Sequence, residues 1–211
     1  MIERLRAETT HPVSTPAIAQ DWFARPATLV APALIGCCLV RQFEDGTTQR
    51  GIIVETEAYE PGDPACHAYR KKTPRNAVMF GAPGYSYVYL IYGMYHCVNI
   101  VTEPAGIPSA VLLRALDLQE TASPDLPPKV RQKLAAGPGK LCRQLKIDRT
   151  LNAVPLIPGQ ALWVESRTAD FEAAIATNPA ALVQTTRIGL SQGVDLPWRW
   201  YLKGSPAISK P

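Results

Sequence analysis

The sequence has no apolar run approaching the ~18–20 residues of a membrane-spanning helix. Its opening stretch, MIERLRAETT, lacks the apolar core of a secretory signal, so neither export nor a membrane partner is expected. Five cysteines (37, 38, 66, 97 and 142) are an odd number without the spacing of a disulfide framework. A reducing, intracellular setting fits them best, which in a bacterium means cytoplasm and nucleoid. Cys66-His67 and His96-Cys97 come nearest to metal-ligand pairs. Neither has Cys-x-x-Cys or His-x-x-x-His spacing, and adjacent strand residues face opposite ways, so no metal and no cofactor is expected. Gly137-Pro138-Gly139-Lys140 is half of a phosphate loop, without the upstream Gly or the following Ser/Thr of a Walker motif. Repeats and low-complexity tracts are absent. Neither sign of charge dominates: 22 Lys+Arg against 18 Asp+Glu give +4 and a pI of about 8.8. That balance suits a polyanionic partner without requiring one.

What is present is an ordinary globular composition, 46% hydrophobic over 211 residues, enough for one domain with a substantial core. Residues 1–16 read as a mobile arm and 17–211 as one domain. A short helix is expected within 17–24. A second is expected over Leu29–Ile35, N-capped by Thr28, with Pro32 in its first turn and Gly36 after its end. Strands are expected at Cys38–Phe43 and Gly51–Tyr59, joined by the Asp45-Gly46 turn. Residues 60–84 form a long loop rich in Pro and Gly, a length that is commonly functional. Ser86–Tyr92 and His96–Thr102 form a hairpin across Gly93-Met94, followed by a strand at Ser109–Leu116. A polar linker covers 119–128, a helix 129–136, and Gly137-Pro138-Gly139 opens another over Lys140–Leu145. Ala161–Glu165 and Trp198–Leu202 are late strands. The fold class is α/β in the α+β sense, with a mostly antiparallel sheet.

The chemistry concentrates in three segments. In VETEAY (54–59), alternation puts Ile53, Glu55, Glu57 and Tyr59 on one face. On spacing alone an edge strand with a solvated acidic face is the favoured reading, because exposed acids are common; Tyr59 and the loop that follows weigh against it. In AVLLRAL (110–116), Arg114 shares a face with Leu112 and Leu116. If that face is core, Arg114 needs a carboxylate, and Glu55 or Glu57 can supply it. In YSYVYLIYGMYHCVNIV (85–101), Tyr85, Tyr87 and Tyr89 share a face, a pattern that packing also explains. Tyr92 and Tyr95 bracket the turn, where an exposed aromatic usually marks a contact surface. Such a tip is a device for unstacking bases. Asn99 is an amide in an apolar strand and must find partners. Arg70-Lys71-Lys72, Arg75 and Lys140 can meet phosphates, although short basic runs are often only solvated loops.

Together these segments resemble the alkyladenine (3-methyladenine) DNA glycosylase family. The resemblance is carried by VETEAY, DPACHA (63–68), TPRNAVMFGAPG (73–84), YVYLIYGMYHCVNIV (87–101), VLLRAL (111–116), GPGKLC (137–142) and KGSP (203–206), in order along the chain. It implies a curved sheet with a DNA-inserting hairpin and hydrolysis of the N-glycosidic bond of an alkylated or deaminated purine flipped from duplex DNA. It implies Glu57 as general base toward a catalytic water, with Arg114 positioning that water. It implies a base pocket of Tyr59, Ala65, His67, Tyr89 and Asn99, and Tyr92 as the wedge. Thr73, Arg75, Tyr87, Met94 and Lys140 are then expected to contact the DNA. A monomer is expected. Ala68 stands where the family commonly has Ser. The competing readings are a lesion-binding module without catalysis and a small-molecule hydrolase using the same carboxylate.

Overall fold

A computed structural model of the chain describes residues 15–118 and 125–211. Eight strands among them form one antiparallel, curled sheet: β1 (Cys38–Gln42), β2 (Thr48–Tyr59), β3 (Ser86–Ile91), β4 (Tyr95–Val101), β5 (Ala110–Leu118), β6 (Leu162–Glu165), β7 (Leu182–Thr185) and β8 (Arg199–Leu202). The order is β3-β4-β5-β2-β1-β6, with β8 bridging β2 and β7. Four α-helices accompany it: α1 (Ala27–Leu34), α2 (Pro128–Arg131), α3 (Pro138–Gln144) and α4 (Ala169–Thr177). This is a single α+β domain. No helix among the described residues is long and apolar enough to cross a membrane. The expected arm falls largely on residues outside those described, as does the first part of the expected linker. Thr15 and Pro16 are tied down by bonds to Glu165 and Ser166.

β2 is central, not an edge. It pairs with β5 along one side, and on the other first with β1 and then with β8. Its two acidic residues, Glu55 and Glu57, are both fully buried. Strict alternation also fails here. The β2–β5 register shifts between Ile53 and Glu55 and again between Glu55 and Thr56. Val54 is the extra residue on β2 and Arg114 the extra residue on β5. Such paired bulges re-aim side chains. Ile53 joins Val54 in the main core instead of sharing a face with Glu55, and Leu116 joins Leu113 and Ala115 there instead of sharing a face with Arg114.

α1 and α3 cover the apolar face of the sheet, and Val30, Leu34, Leu141 and Leu145 share one core with Val88, Val98, Ile100, Val111 and Leu113. Truncating a buried leucine such as Leu141 to Ala in such a core costs about 2–5 kcal/mol. α1 begins after Pro26, and Thr28 is not its cap. The Thr28 N–H instead donates to Glu60 Oε1 at 2.8 Å, so a carboxylate from the end of β2 supplies the capping acceptor. Pro32 lies deep in α1 rather than in its first turn, and the helix ends two residues later. α4 and β7 are elements the sequence reading did not foresee. Thr168 caps α4 by accepting from the Phe171 N–H at 3.2 Å.

The loop over 60–84 is packed rather than loose. Buried Asn76 donates from Nδ2 to the carbonyls of His67 (2.8 Å) and Lys71 (3.0 Å) and accepts from the Thr73 N–H. Beneath it Cys66, Ala68, Met79, Tyr87, Val101 and Ala110 form a second apolar cluster.

Candidate active site

The polar face of the sheet opens into a cavity of about 540 Å³. Its wall draws Tyr59 from the end of β2, Tyr87 and Tyr89 from β3, Cys97 and Asn99 from β4, and Leu112 and Arg114 from β5. The loop adds Ala65 and His67, the start of α3 adds Gly137 to Lys140, and residues 188–190 close one side. Alternation places Tyr87 and Tyr89, then Cys97 and Asn99, on this face while Val88 and Val98 face the core.

Glu57 lies one side chain behind the wall. Its Oε1 accepts from the Ile188 N–H at 2.8 Å and meets Arg114 Nη1 at 3.2 Å. Its Oε2 accepts from the Tyr59 hydroxyl at 2.8 Å. A lone buried carboxylate would be strongly disfavoured; here a guanidinium and two donors meet the charge. Each carboxylate oxygen has two acceptor positions, so Oε2 keeps one for a further donor. Burial, and after it the Glu57 carboxylate, hold the Tyr59 phenol well above its usual range, and it remains a donor. Burial works against the Arg114 guanidinium, but Glu57 and Glu55 more than offset it. Arg114 also reaches Glu55 Oε1 through Nε at 3.1 Å, so both candidate partners named from the sequence are used.

The aromatic side of the cavity is preset. His67 Nδ1 lies 2.8 Å from the Tyr87 hydroxyl, and the His67 and Tyr89 rings meet edge-on with centroids 4.5 Å apart. Withdrawal from water against these rings, then the Arg75 guanidinium, lowers the His67 pKa, which favours neutral imidazole. Burial pushes the Tyr87 phenol up to about 12. Asn99 Nδ2 donates to the Tyr87 carbonyl at 2.9 Å.

At the cavity mouth stands the β3–β4 hairpin. Tyr92 (φ 52) and Gly93 (φ 68) are both left-handed, and the Met94 N–H donates to the Ile91 carbonyl, as in a type I′ turn. Tyr92 is 79% exposed and Met94 68%. A tyrosine in this conformation at the most exposed point of a hairpin is not there for packing. Lys140 lines the mouth from α3 and is exposed. Arg75 is exposed above Tyr89, with its guanidinium 5.4 Å from the ring. Thr73 lies in the loop, held to Asn76 and away from the cavity wall. Tyr87, expected at the DNA surface, is only 2% exposed; its hydroxyl serves His67, and what it reaches is the cavity.

A family model described as methylpurine-DNA glycosylase matches residues 21–206. The chain belongs to the methylpurine-DNA glycosylase family. A protein of Trichodesmium erythraeum (strain IMS101) is 55% identical over 201 residues, 92% of this chain and 97% of its own length. One of Synechococcus sp. (strain JA-3-3Ab) is 55% identical over 199 residues, 90% and 98% respectively. One of Carboxydothermus hydrogenoformans is 44% identical over 199 residues, 92% and 98%. Each is named "Putative 3-methyladenine DNA glycosylase".

In this family member the supporting residues are the ones that sequence reasoning missed. Arg187 and Asp63 form a bidentate ion pair with both side chains fully buried. Arg187 also donates to the Ala58 carbonyl at 3.0 Å and stacks 4.6 Å from the Tyr59 ring centroid. Asp63 Oδ1 accepts from the Ala65 N–H at 3.0 Å. One pair thus ties together Tyr59, the Ala65–His67 loop and the segment whose Ile188 amide holds Glu57. Arg199 meets Glu55 Oε1 at 2.8 Å. Asp63 lay inside the DPACHA segment, but its partner is 124 residues away, and nothing local marks Arg187.

Proposed function

We propose that the protein releases alkylated or deaminated purines from duplex DNA by hydrolysing the N-glycosidic bond, the base-removing step of base excision repair. The observation that carries this reading is the Glu57 carboxylate, held by Tyr59, Ile188 and Arg114 directly behind an aromatic cavity whose mouth bears an exposed tyrosine.

Extruding a base costs the duplex a few kcal/mol, and less where the pair is already weakened, which itself favours damaged sites. Tyr92 enters the gap left in the stack. Inside, stacking against Tyr59, His67 and Tyr89 returns about 1–3 kcal/mol. The Ala65 N–H and the His67 carbonyl are already committed to Asp63 and Asn76, so the Ala65 carbonyl and the His67 N–H read the base edge. Asn99, fixed through its amide to Tyr87, excludes the exocyclic amine of guanine. Water bonded to Glu57 Oε2 attacks C1′ of the sugar. The C1′–N bond breaks with its electron pair leaving on the purine, and the water proton passes to Glu57. The carboxylate charge also steadies the oxocarbenium-like sugar. Proximity supplies most of the rate, because a base acts only within hydrogen-bond reach. Attack by water in place of a lysine leaves the strand uncut. Lys140, Arg75 and Met94 at the mouth engage the duplex beside the lesion. The protein acts as a monomer inside the cell.

The test is base release from a labelled duplex carrying a single hypoxanthine, with the undamaged duplex alongside. Abasic sites on the damaged strand alone, without strand cleavage, are expected. Equal release from both, or from neither, overturns the reading.

A further inference from the structure

We propose that Ser209, beyond the 21–206 span matched by the family model, is a positioning residue that keeps Arg114 on Glu57. The proposal rests on the roles given above to Glu57 and Arg114.

Glu55 is fully buried and sits on the opposite side of Arg114 from Glu57. Two carboxylates thus compete for one guanidinium: Arg114 gives Nε to Glu55 at 3.1 Å and Nη1 to Glu57 at 3.2 Å. A carboxylate free to turn takes an arginine two-pronged, because the planar fork matches it. If Glu55 did so, Nη1 would be drawn from Glu57. Ser209 opposes this by donating to both Glu55 oxygens and so fixing how the carboxylate is turned. Its N–H donates to Oε2 at 2.6 Å and its hydroxyl to Oε1 at 2.8 Å. The same hydroxyl accepts from Arg114 Nη2 at 3.4 Å, so Ser209 also engages the prong that Glu55 would otherwise attract. Arg199 adds a further donor on Oε1 at 2.8 Å.

The segment carrying Ser209 is fixed well enough for this task. Ala207 and Ile208 are buried in the main core. Lys133 Nζ donates to the Ile208 carbonyl at 2.8 Å, and Arg199 Nη1 to the Lys210 carbonyl at 2.9 Å. Ser209 is therefore clamped on both sides, and its hydroxyl can be removed without freeing the chain.

The experiment is single-turnover excision of hypoxanthine from a duplex at saturating enzyme, with duplex affinity and thermal unfolding measured on the same preparations of full-length protein. Ser209→Ala is expected to excise about tenfold more slowly, because Arg114 is held less firmly on Glu57, while binding the duplex within about twofold of wild type. Ser209→Thr, which keeps the hydroxyl, is expected to restore the rate. A purely structural role would lower affinity and thermal midpoint in step with rate. That pattern, a Ser209→Ala enzyme of wild-type rate, or failure of Ser209→Thr to rescue overturns the proposal. Glu57→Gln is run in parallel. If it turns over normally, the reading of the site itself has failed; if it is inactive while Ser209→Ala is unimpaired, only the role of Ser209 has.

Discussion

Asp63→Asn isolates the contribution of the support behind the pocket. The substitution keeps the shape of the side chain but removes the charge that faces Arg187, whose guanidinium is fully buried. Breaking a buried pair from one side costs about 3–5 kcal/mol, because a charge is left uncompensated. Against a total stability of about 5–15 kcal/mol this is a large fraction. With a urea m-value of about 2–3 kcal/mol/M for a chain of this size, the unfolding midpoint falls by about 1–2 M. Replacing both partners, as Asp63→Asn with Arg187→Met, removes the stranded charge and recovers much of the midpoint. It does not recover excision, because the guanidinium beneath the Tyr59 ring and its bond to the Ala58 carbonyl are gone. Trp198, with its ring 5.3 Å from the same guanidinium, gives a fluorescence probe of unfolding. An Asp63→Asn protein within about 1 kcal/mol of wild type, or a double variant with full activity, would refute the reasoning.

Tyr92→Asn keeps a residue that tolerates the left-handed turn and removes the proposed wedge; stability should change by less than about 0.5 kcal/mol at this exposed site while duplex binding and excision fall, and equal excision from duplex DNA would remove the wedge role. Lys140→Ala should weaken binding to damaged and undamaged duplexes alike and lower the slope of log affinity against log salt by about one; an unchanged slope would place Lys140 away from phosphate. The pKa of His67 is lowered in the fold, so the unfolded chain binds its proton first as pH falls. Its contribution is complete above its ordinary value of 6.5 and is lost as pH drops from there through the folded value. Urea unfolding at pH 7.5 and 5.5 should therefore show a shallower loss for His67→Gln than for wild type, and identical losses would contradict the assignment.

Much of the site was legible because it is built on strands, whose period of two survives folding. That period placed Glu57 with Tyr59 and Leu112 with Arg114, and the need to neutralise Arg114 pointed to Glu55 and Glu57. The same rule failed over Ile53–Glu55 and Arg114–Leu116, because bulges shift the count by one and no turn residue announces them. The bulged Arg114 reaches both carboxylates, so the failure falls at the candidate site. The helix at 169–177 could have been read from Thr168 ahead of ADFEAAIA, a cap followed by acidic residues in the first turn. Arg187 with Asp63, and Ser209 with Glu55, could not, since those partners meet only when the sheet closes.

The role of Glu57 is tested most directly by single-turnover excision of hypoxanthine from a labelled duplex, wild type against Glu57→Gln, with lesion binding measured on both. A general base typically contributes about 10²–10⁴-fold, so the variant should bind the lesion and release its base at least about a hundredfold more slowly. Turnover near the wild-type rate would show that the water is activated elsewhere, and that the buried carboxylate serves only to hold the fold.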